Sequence, residues 1–385
     1  MSLRSVAAAV AATVAVVVLS MNSSVAADLR HARTEAVMDE LLRQQRVPGI
    51  LARAEDGSGV WHRAVGVADR STGRPRHPGD RFRAGSITKT FVATVVLQLD
   101  AERRLDLDDT VADHLPGLVR GHGHDGRRIT LRQLLGHTSG IHDFTDSAFF
   151  RHRYTGAGFW RHRYDTRTAR ELVRTAVRHR PAFAPGTGWG YSNTNYVLAG
   201  LVIEEVTGHG YAEEIERRIL RPLGLRRTSL PGTEPRIDGP HGEAYSTLYR
   251  GTPGERKHGP RMHDVTTLNP SVAGASGELV STTGDLIRFY RALLRGGLVP
   301  HRQLAEMMTT VPTREGHGDR YGLGIRALAL SCGTTVWGHG GGIHGSGSTA
   351  AATRSGRHAA AFNLNADWVP GRVSGVALLE AEFCG

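Results

Sequence analysis

The stretch RFRAGSITKTFVATVVLQL, residues 81–99, determines how the rest of this sequence is interpreted. The chain holds 48 lysines and arginines together, and only Lys89 and Lys257 are lysines. An arginine stays protonated in a protein, whereas a desolvated lysine can lose its proton and act as a base. Ser86 and Lys89 are three residues apart, so on a helix their Cβ atoms lie roughly 5–6 Å apart on one face. The pair therefore predicts a serine nucleophile beside its base, provided that the chain supplies the other parts of a site.

A second stretch, PGTGWGYSNTNYVLAG at residues 185–200, supplies a tyrosine and an amide at the start of a predicted helix. The ammonium of Lys89 would stabilise a phenolate at Tyr191 and lower its pKa, so these two side chains could share the proton of Ser86. Asn193 carries an amide that can orient Lys89 and donate to a substrate carbonyl. The alternatives are an ordinary buried tyrosine and a helix cap, for which the SNT sequence is suitable.

The third stretch, VWGHGGGIHGSGS at residues 336–348, is a predicted strand that runs into consecutive glycines. Such glycines let another backbone or a ligand approach closely, so a carbonyl oxygen could lie between the Ser86 N–H and an N–H of this strand. His339 adds a titratable group at the rim. The spacing of Gly340, Gly342 and Gly345 also matches a dinucleotide motif. An alternating segment follows it instead of the helix which that motif opens, so we reject a dinucleotide site.

The N-terminus has the parts of a secretory signal peptide: Arg4, an Ala/Val-rich run and small residues before a cleavage site. The apolar run is shorter than the ~20 residues that a membrane span needs, so residues 1–27 predict a cleaved signal and no stable membrane anchor. The expected location is therefore extracellular or at the cell wall. In that oxidising compartment Cys332 and Cys384 predict one disulfide, with two buried free thiols as the alternative.

The formal charge of +11 suits anionic surroundings such as nucleic acid or a polyanionic wall, although a codon supply biased towards Arg is the favoured cause. The basic and aromatic repeat FRHRY at 150–154 and WRHRY at 160–164 could stack on nucleic acid. In a secreted chain without a nucleic-acid fold signature, a solvated loop near a cleft is the better interpretation. GHGHDG at 121–126 could bind a metal through His122, His124 and Asp125, and we interpret it as a polar loop. The sequence predicts no nucleic acid, no metal and no other cofactor.

The predicted elements follow the order helix, two strands, a long helical insertion, three or four strands and a final helix. Strands joined by short turns indicate an antiparallel sheet. We therefore expect an α/β (α+β) fold in which one antiparallel sheet, flanked by helices, is built from both chain ends around a large, mainly helical insertion. The predicted sheet domain is residues 28–80 with 275–385, and the helical domain is 81–274.

Taken in order, SITK, YSN and HGG resemble the three motifs of the serine penicillin-recognising enzymes. The similarity is highest to the secreted D-alanyl-D-alanine carboxypeptidases of actinomycetes, which share their β-lactamase/transpeptidase-like fold with class C β-lactamases and related esterases. It extends to LLGHTSGIHDFT, SGELVSTTGDL, YGLGIRALALSCGTTVWGHGG and LLEAEFCG, and so covers nearly all of the mature chain. The resemblance implies that the enzyme forms an acyl-enzyme with small peptidoglycan stem peptides and with β-lactams. We expect it to be a monomer.

The same resemblance assigns the catalytic roles. Ser86 would attack the peptide carbonyl, Lys89 and Tyr191 would move the proton, and Asn193 would orient Lys89 and the substrate amide. Backbone N–H groups of Ser86 and of the strand at Gly341 and Gly342 would hold the oxyanion.

The resemblance also extends to groups around the catalytic residues. His339 would stand where many relatives carry Lys, and Arg326, six residues before Cys332, would hold the substrate's terminal carboxylate. The same relatives bridge the cysteines that match Cys332 and Cys384.

Gly340 stands where these relatives usually have Thr, so a hydroxyl that would bind the substrate carboxylate is missing. We expect D-alanyl-D-alanine carboxypeptidase activity, with a β-lactamase, a D-amino-acid amidase or aminopeptidase, or an esterase as the enzymatic alternatives. The sequence has no Lys-Thr-Gly or Lys-Ser-Gly, which argues against a typical β-lactamase. A wall-binding pseudoenzyme is the non-enzymatic alternative, and the complete catalytic set argues against it.

Overall fold

One antiparallel sheet of eight strands organises the computed structural model, which describes residues 31–45, 47–248, 261–313, 318–368 and 371–385. The predicted signal peptide, residues 1–27, lies outside these ranges. The strands of the sheet are β1 Gly49–Asp56, β2 Gly59–Gly66, β3 Val311–Pro312, β4 Arg320–Tyr321, β5 Arg326–Ala329, β6 Thr335–Ile343, β7 Ser346–Thr353 and β8 Ala359–Leu364. Their order across the sheet is β2-β1-β8-β7-β6-β5-β4-β3.

Strands from the two ends of the chain meet inside this sheet. β1 pairs with β8, with Ile50 opposite Leu364 and Glu55 opposite Ala359. All six residues of β8 are buried, because helices cover both faces of the sheet at this strand. The predicted fold, an antiparallel sheet built from both chain ends around a helical insertion, is confirmed.

The helices pack on both faces of the sheet and fill the insertion. The longer ones are α1 Ala32–Gln45, α2 Thr88–Ala101, α3 Ala169–Val177, α4 Asn193–Thr207, α5 Thr283–Leu294, α6 His301–Met308 and α7 Gly371–Phe383. The shorter ones are Val111–His114, Leu131–Leu135, Ala148–Tyr154, Ala157–His162, Tyr211–Ile215 and Arg221–Leu223. Two-residue strands pair Phe82–Arg83 with Val280–Ser281, Arg120–Gly121 with His124–Asp125, and Tyr245–Ser246 with His263–Asp264. No helix in the described ranges has both the length and the apolar character needed to cross a membrane.

The apolar core has a large layer on one face of the sheet and a smaller one on the other. In the large layer Phe91 of α2 stacks on Phe289 of α5, with ring centroids 3.7 Å apart. α2 is buried on nearly all sides, which explains why its apolar residues do not form a single stripe. The smaller layer includes Met38 of α1 and Leu378 of α7. The central helix that carries Lys89 is therefore fixed by packing on nearly all of its sides.

One local prediction is wrong. The FRHRY and WRHRY repeat forms two short helices, Ala148–Tyr154 and Ala157–His162, and not a loop. Tyr154 and Phe159 are buried, so aromatic packing orders these helices against the rest of the insertion. The segment YGLGIRALAL begins with the last residue of β4 and continues into β5, and Gly324, with a φ of +76°, turns the chain between these two strands.

Cys332 and Cys384 form the predicted disulfide, with Cα atoms 5.6 Å apart. The bridge joins the turn after β5 to the residue that follows α7. It ties the last helix to the strand that carries Arg326.

Replacing both cysteines with serine is expected to lower the free energy of unfolding by about 4 kcal/mol, because the bridged residues are 52 positions apart and the bridge restricts the unfolded chain. Thermal melts of the wild type with and without reductant, beside the double variant, measure the effect. The reductant should leave the melting temperature of the variant unchanged. An equal melting temperature for oxidised and reduced wild type would contradict the expectation.

Candidate active site

Ser86 lies in a short 3-10 turn, Gly85–Ile87, that leads directly into α2. The Thr88 hydroxyl fixes this turn by donating to Gly85 O at 2.7 Å. Gly85 has a φ of +56°, and a Cβ at this position would come within 2.8 Å of Gly342 N, so glycine is required here. The turn presents Ser86 to a cavity of about 400 Å³.

Lys89 is fully buried and contacts three oxygens at once. Its Nζ lies 2.9 Å from Ser86 Oγ, 2.7 Å from Asn193 Oδ1 and 2.7 Å from the backbone oxygen of Ser276. The predicted contact between hydroxyl and amine is therefore present. The Ser276 contact is made by a carbonyl that any residue would supply, so no side-chain signal in the sequence could have predicted it.

Burial lowers the pKa of Lys89 to about 7, since a charged amine is costly in a dry site. The positive charge of Arg326 lowers it further, and the negative charge of Asp143 opposes both effects. Near neutral pH a large share of the enzyme therefore holds Lys89 as a free amine. In that state Nζ can take the proton of Ser86 Oγ.

The acylation rate is accordingly expected to rise about tenfold per pH unit below pH ~7 and to level off above it, because only the unprotonated Lys89 acts as a base. The pH profile of kcat/KM reports this ionisation in the free enzyme. The Asp143→Asn variant removes the attractive charge, so its inflection should move to lower pH. A profile that stays flat between about pH 5.5 and 8.5 would rule out Lys89 as the titrating base.

Asn193, the first residue of α4, connects Lys89 to a buried carboxylate. Its Oδ1 accepts from Lys89, while its Nδ2 and backbone N–H donate to Asp143 Oδ2 at 2.8 and 3.1 Å. These contacts fix which way the amide points, because its oxygen faces an amine and its nitrogen faces a carboxylate. Asp143 was not predicted, since a single Asp in a loop has no distinctive spacing.

Tyr191 lines the same cavity as Ser86, and Lys89 Nζ lies 4.9 Å from the centroid of its ring. The ring of buried His137 is 4.3 Å from the Tyr191 ring, and His137 Nδ1 accepts from the Ser192 N–H at 3.2 Å. Burial, followed by the charge of Lys89, holds the pKa of His137 well below its ordinary value. The neutral His137 therefore supports the segment that carries Tyr191. His137 was not predicted as a site residue, although the GHTSG sequence that contains it is part of the family resemblance.

His339 of β6 is buried beside Tyr321. Its Nδ1 faces the carbonyl of Gly340, which only accepts, so Nδ1 carries the hydrogen and Nε2 accepts from the Tyr321 hydroxyl at 2.9 Å. Burial, with the nearby charges of Arg326 and Lys89, holds the pKa of His339 well below its ordinary value. Where many relatives have a cationic Lys, this site therefore has a neutral imidazole.

Gly341 and Gly342 of β6 pack directly against the turn that carries Ser86. A Cβ at Gly341 would lie 1.8 Å from Ala84 O and 3.0 Å from Ser86 N, so no other residue fits. Ser86, Gly341 and Gly342 all line the cavity, which places the predicted oxyanion donors at one wall. Gly340 differs, because the nearest atom to a Cβ there is Ser348 O at 3.8 Å. A larger residue would therefore fit at position 340 without a steric clash at its Cβ.

Arg326 reaches the cavity from β5, where it pairs with Gly338 of β6. Its guanidinium carbon lies 5.9 Å from the ring centroid of Tyr191 and 5.4 Å from that of Tyr321. Asp319 also lines the cavity, is buried, and accepts a hydrogen bond from Arg326 Nη1. The charge predicted to hold a substrate carboxylate is thus offset by a carboxylate of the protein.

The structure brings the predicted site residues together around one cavity, and their catalytic roles stay predictions. Ser86, Tyr191, Arg326, His339, Gly341 and Gly342 line it, with Lys89 and Asn193 directly behind Ser86. Within the described ranges no group of three or more His, Cys, Asp or Glu side chains is placed to hold a metal ion. In the GHGHDG segment His124 instead donates to the carbonyl of His179 at 3.0 Å.

Comparisons with known proteins identify the family of the chain. The family described as Beta-lactamase matches residues 34–379. The crystal structure of a D-stereospecific amidohydrolase from Streptomyces sp. is similar at 50% identity and a TM-score of 0.85, covering 92% of this chain and 99% of that one. Penicillin-binding protein 4 of Amycolatopsis lactamdurans is 32% identical over 70% of this chain and 65% of its own length. Esterase EstB of Burkholderia gladioli is 36% identical over 53% of this chain and 52% of its own length. The chain thus matches less than two thirds of each of these last two relatives.

Proposed function

The chain belongs to the β-lactamase family of serine hydrolases, and from this premise we propose that it hydrolyses amides of D-amino acids through an acyl-enzyme at Ser86. This proposal selects the D-amino-acid amidase among the alternatives that the sequence leaves open. It rests on the charges in the cavity and on the similarity to the Streptomyces protein described as a D-stereospecific amidohydrolase.

In the first half of the reaction, Ser86 Oγ attacks the amide carbonyl while Lys89, 2.9 Å away, takes the hydroxyl proton. The N–H groups of Ser86 and Gly342 stabilise the oxyanion. When the C–N bond breaks, the proton passes through Lys89 and Tyr191 to the leaving nitrogen. A neutral amine departs and an ester remains on Ser86. Water then attacks that ester, which releases the D-amino acid and restores the hydroxyl.

One observation carries the choice of an amide over a peptide with a free C-terminus: the Arg326–Asp319 pair in the cavity. A carboxypeptidase must attract the terminal carboxylate of its substrate, and an unbalanced cation serves that purpose. Here Asp319 offsets Arg326, His339 is neutral, and Gly340 has no hydroxyl to donate. An uncharged leaving group suits these surroundings better than a carboxylate does.

D-alanyl-D-alanine carboxypeptidase activity is the second candidate, favoured by the presence of the Arg326 guanidinium in the cavity. The similarity to penicillin-binding protein 4 of Amycolatopsis lactamdurans agrees with it. In this function Arg326 would exchange its contact with Asp319 for the substrate carboxylate. We further propose that the enzyme acts as a monomer outside the cell, where the Cys332–Cys384 bridge is stable.

The test is a panel with two matched pairs of substrates. The first pair is D-phenylalanine amide and L-phenylalanine amide, for which we expect turnover of the D form only. The second is an N-acyl-D-Ala-D-Ala peptide with either a free carboxylate or a C-terminal amide. The free carboxylate should give no advantage in kcat/KM. Turnover restricted to the free-carboxylate peptide would replace the amidase with the carboxypeptidase, and turnover of neither pair would refute both functions.

A further inference from the structure

The face of β6 that carries positions 340 and 342 is bare. A Cβ at Gly342 would meet no atom within 4 Å, and one at Gly340 would be 3.8 Å from its nearest neighbour. Because alternate residues of a strand share a face, both positions open to the same side of the sheet. The side chains that usually cover a strand are therefore absent over this part of the catalytic wall.

This bare face lies next to α7. Thr349 of β7 is the register partner of Gly340, and a Cβ at Gly375 of α7 would come 2.4 Å from Thr349 Oγ1. The helix therefore sits closely on the sheet beside the bare glycines. Val336, on the same strand as Gly340, belongs to the apolar layer under α7.

The cavity that contains Ser86 continues into this space. Besides Ser86 and Tyr191, its lining includes five side chains from β5, β6, β7 and α7, which we call the leaving-group pocket: Leu328, Val336, Thr349, Val376 and Leu379. Four of these five side chains are aliphatic. A concave aliphatic surface beside a few directed polar groups is the usual form of a small-molecule site.

The position of the pocket indicates which half of the substrate it would receive. Arg326 pairs with Gly338, so it lies on the same side of the sheet as Gly340, and both line the cavity. The family resemblance places the departing residue of the substrate at these two positions. The leaving-group pocket extends the cavity from there along the face of the sheet that α7 covers.

We propose that the leaving-group pocket binds the departing amine and gives the enzyme a preference for bulky, uncharged, apolar leaving groups such as arylalkylamines. This inference rests on the proposed amidase function and adds the class of leaving group. A phenyl ring on the amine would contact the aliphatic side chains, and no carboxylate would have to compete with Asp319 for Arg326.

Two substrates with the same acyl half isolate this pocket: D-phenylalanine ethylamide and D-phenylalanine 2-phenylethylamide. Both form the same acyl-enzyme, so their deacylation is identical and kcat/KM compares only acylation. Both leaving groups are primary alkylamines. We expect kcat/KM for the 2-phenylethylamide to be at least about tenfold higher, the range that added apolar groups give in an apolar pocket.

Two variants fill the pocket from different elements. Val376→Trp acts from α7 and Leu328→Trp acts from β5, and each should reduce the ratio of the two kcat/KM values to near one. Val376→Ala enlarges the pocket and should keep the ratio at or above that of the wild type. A thermal melt of each variant beside the wild type shows whether it is folded. If one filling variant fails to fold, the other provides the measurement.

The outcomes separate this inference from the proposed function. Turnover of both amides with a wild-type ratio near one, or a ratio that neither filling variant changes, would overturn the pocket and leave the amidase standing. If neither amide is hydrolysed, the proposed function fails and the pocket fails with it. A high wild-type ratio that falls in the filling variants and persists in Val376→Ala would establish the pocket.

Discussion

The Ser86→Ala variant is expected to lose at least about 10⁴-fold in kcat/KM on any substrate that the wild type turns over, because removing the nucleophile removes the acyl-enzyme route. The change deletes one oxygen at the end of a turn whose backbone is held by Thr88 and by the contact with β6. The fold should therefore be preserved. The measurement is kcat/KM beside a thermal melt and covalent labelling with a fluorescent penicillin.

The matched control for this variant is Ser355→Ala, a serine exposed in the turn between β7 and β8. It should keep both activity and labelling, so that any loss in the Ser86 variant is specific. Labelling that persists at another residue in Ser86→Ala would remove Ser86 from the role of nucleophile.

The Lys89→Arg variant is expected to acylate at least about 10²-fold more slowly, the lower end of what a positioned acid–base group contributes. An arginine keeps the positive charge but cannot take the Ser86 proton. Its planar head is also larger than an ammonium, and the three oxygens around Lys89 Nζ lie within 2.9 Å. The loss therefore reports both proton transfer and geometry.

This second experiment compares the acylation rate constants of the two proteins, with thermal melts to monitor stability. Arg288→Lys, an exposed position on α5, is the reciprocal control and should change neither quantity. An acylation rate near that of the wild type in Lys89→Arg would mean that Lys89 supplies only charge. Tyr191 would then have to take the proton alone.

The fold could be predicted from the sequence because its strands and helices have recognisable apolar patterns and end at typical turn and capping residues. The hairpin at Asp56–Gly59 and the helices that end at Gly208 and Gly224 lie where their turn and capping residues indicate. The two helices of the FRHRY and WRHRY repeat were missed, because each is short and its few apolar residues are interrupted by basic ones. Tyr154 and Phe159 become buried only through partners far along the chain, and no local pattern contains that information.

Some contacts of the site could also be predicted from the spacing of residues in the sequence, and others could not. Ser86 and Lys89 are one helical turn apart, so their contact follows from the sequence. Asp143 and Asp319 were missed because each binds a residue that is distant in the sequence or lies on another element. Asp143 accepts a hydrogen bond from Asn193, and Asp319 accepts one from Arg326. The pKa of Lys89 depends on burial by the whole fold, which spacing alone does not give.

The meeting of the two chain ends in one sheet has a consequence for biosynthesis. Ser86 and Lys89 are synthesised early, while the glycine strand β6, which packs against the Ser86 turn, begins only at Thr335. Until β8 arrives, β1 has only its hairpin partner and presents an unpaired edge to other chains. A chain that ends before residue 335 would lack the glycines that pack against the Ser86 turn, and its β1 edge would stay open to pairing with other chains. The strand that meets the Ser86 turn and the strand that closes the sheet on β1 thus both come from residues 335–364, late in the chain.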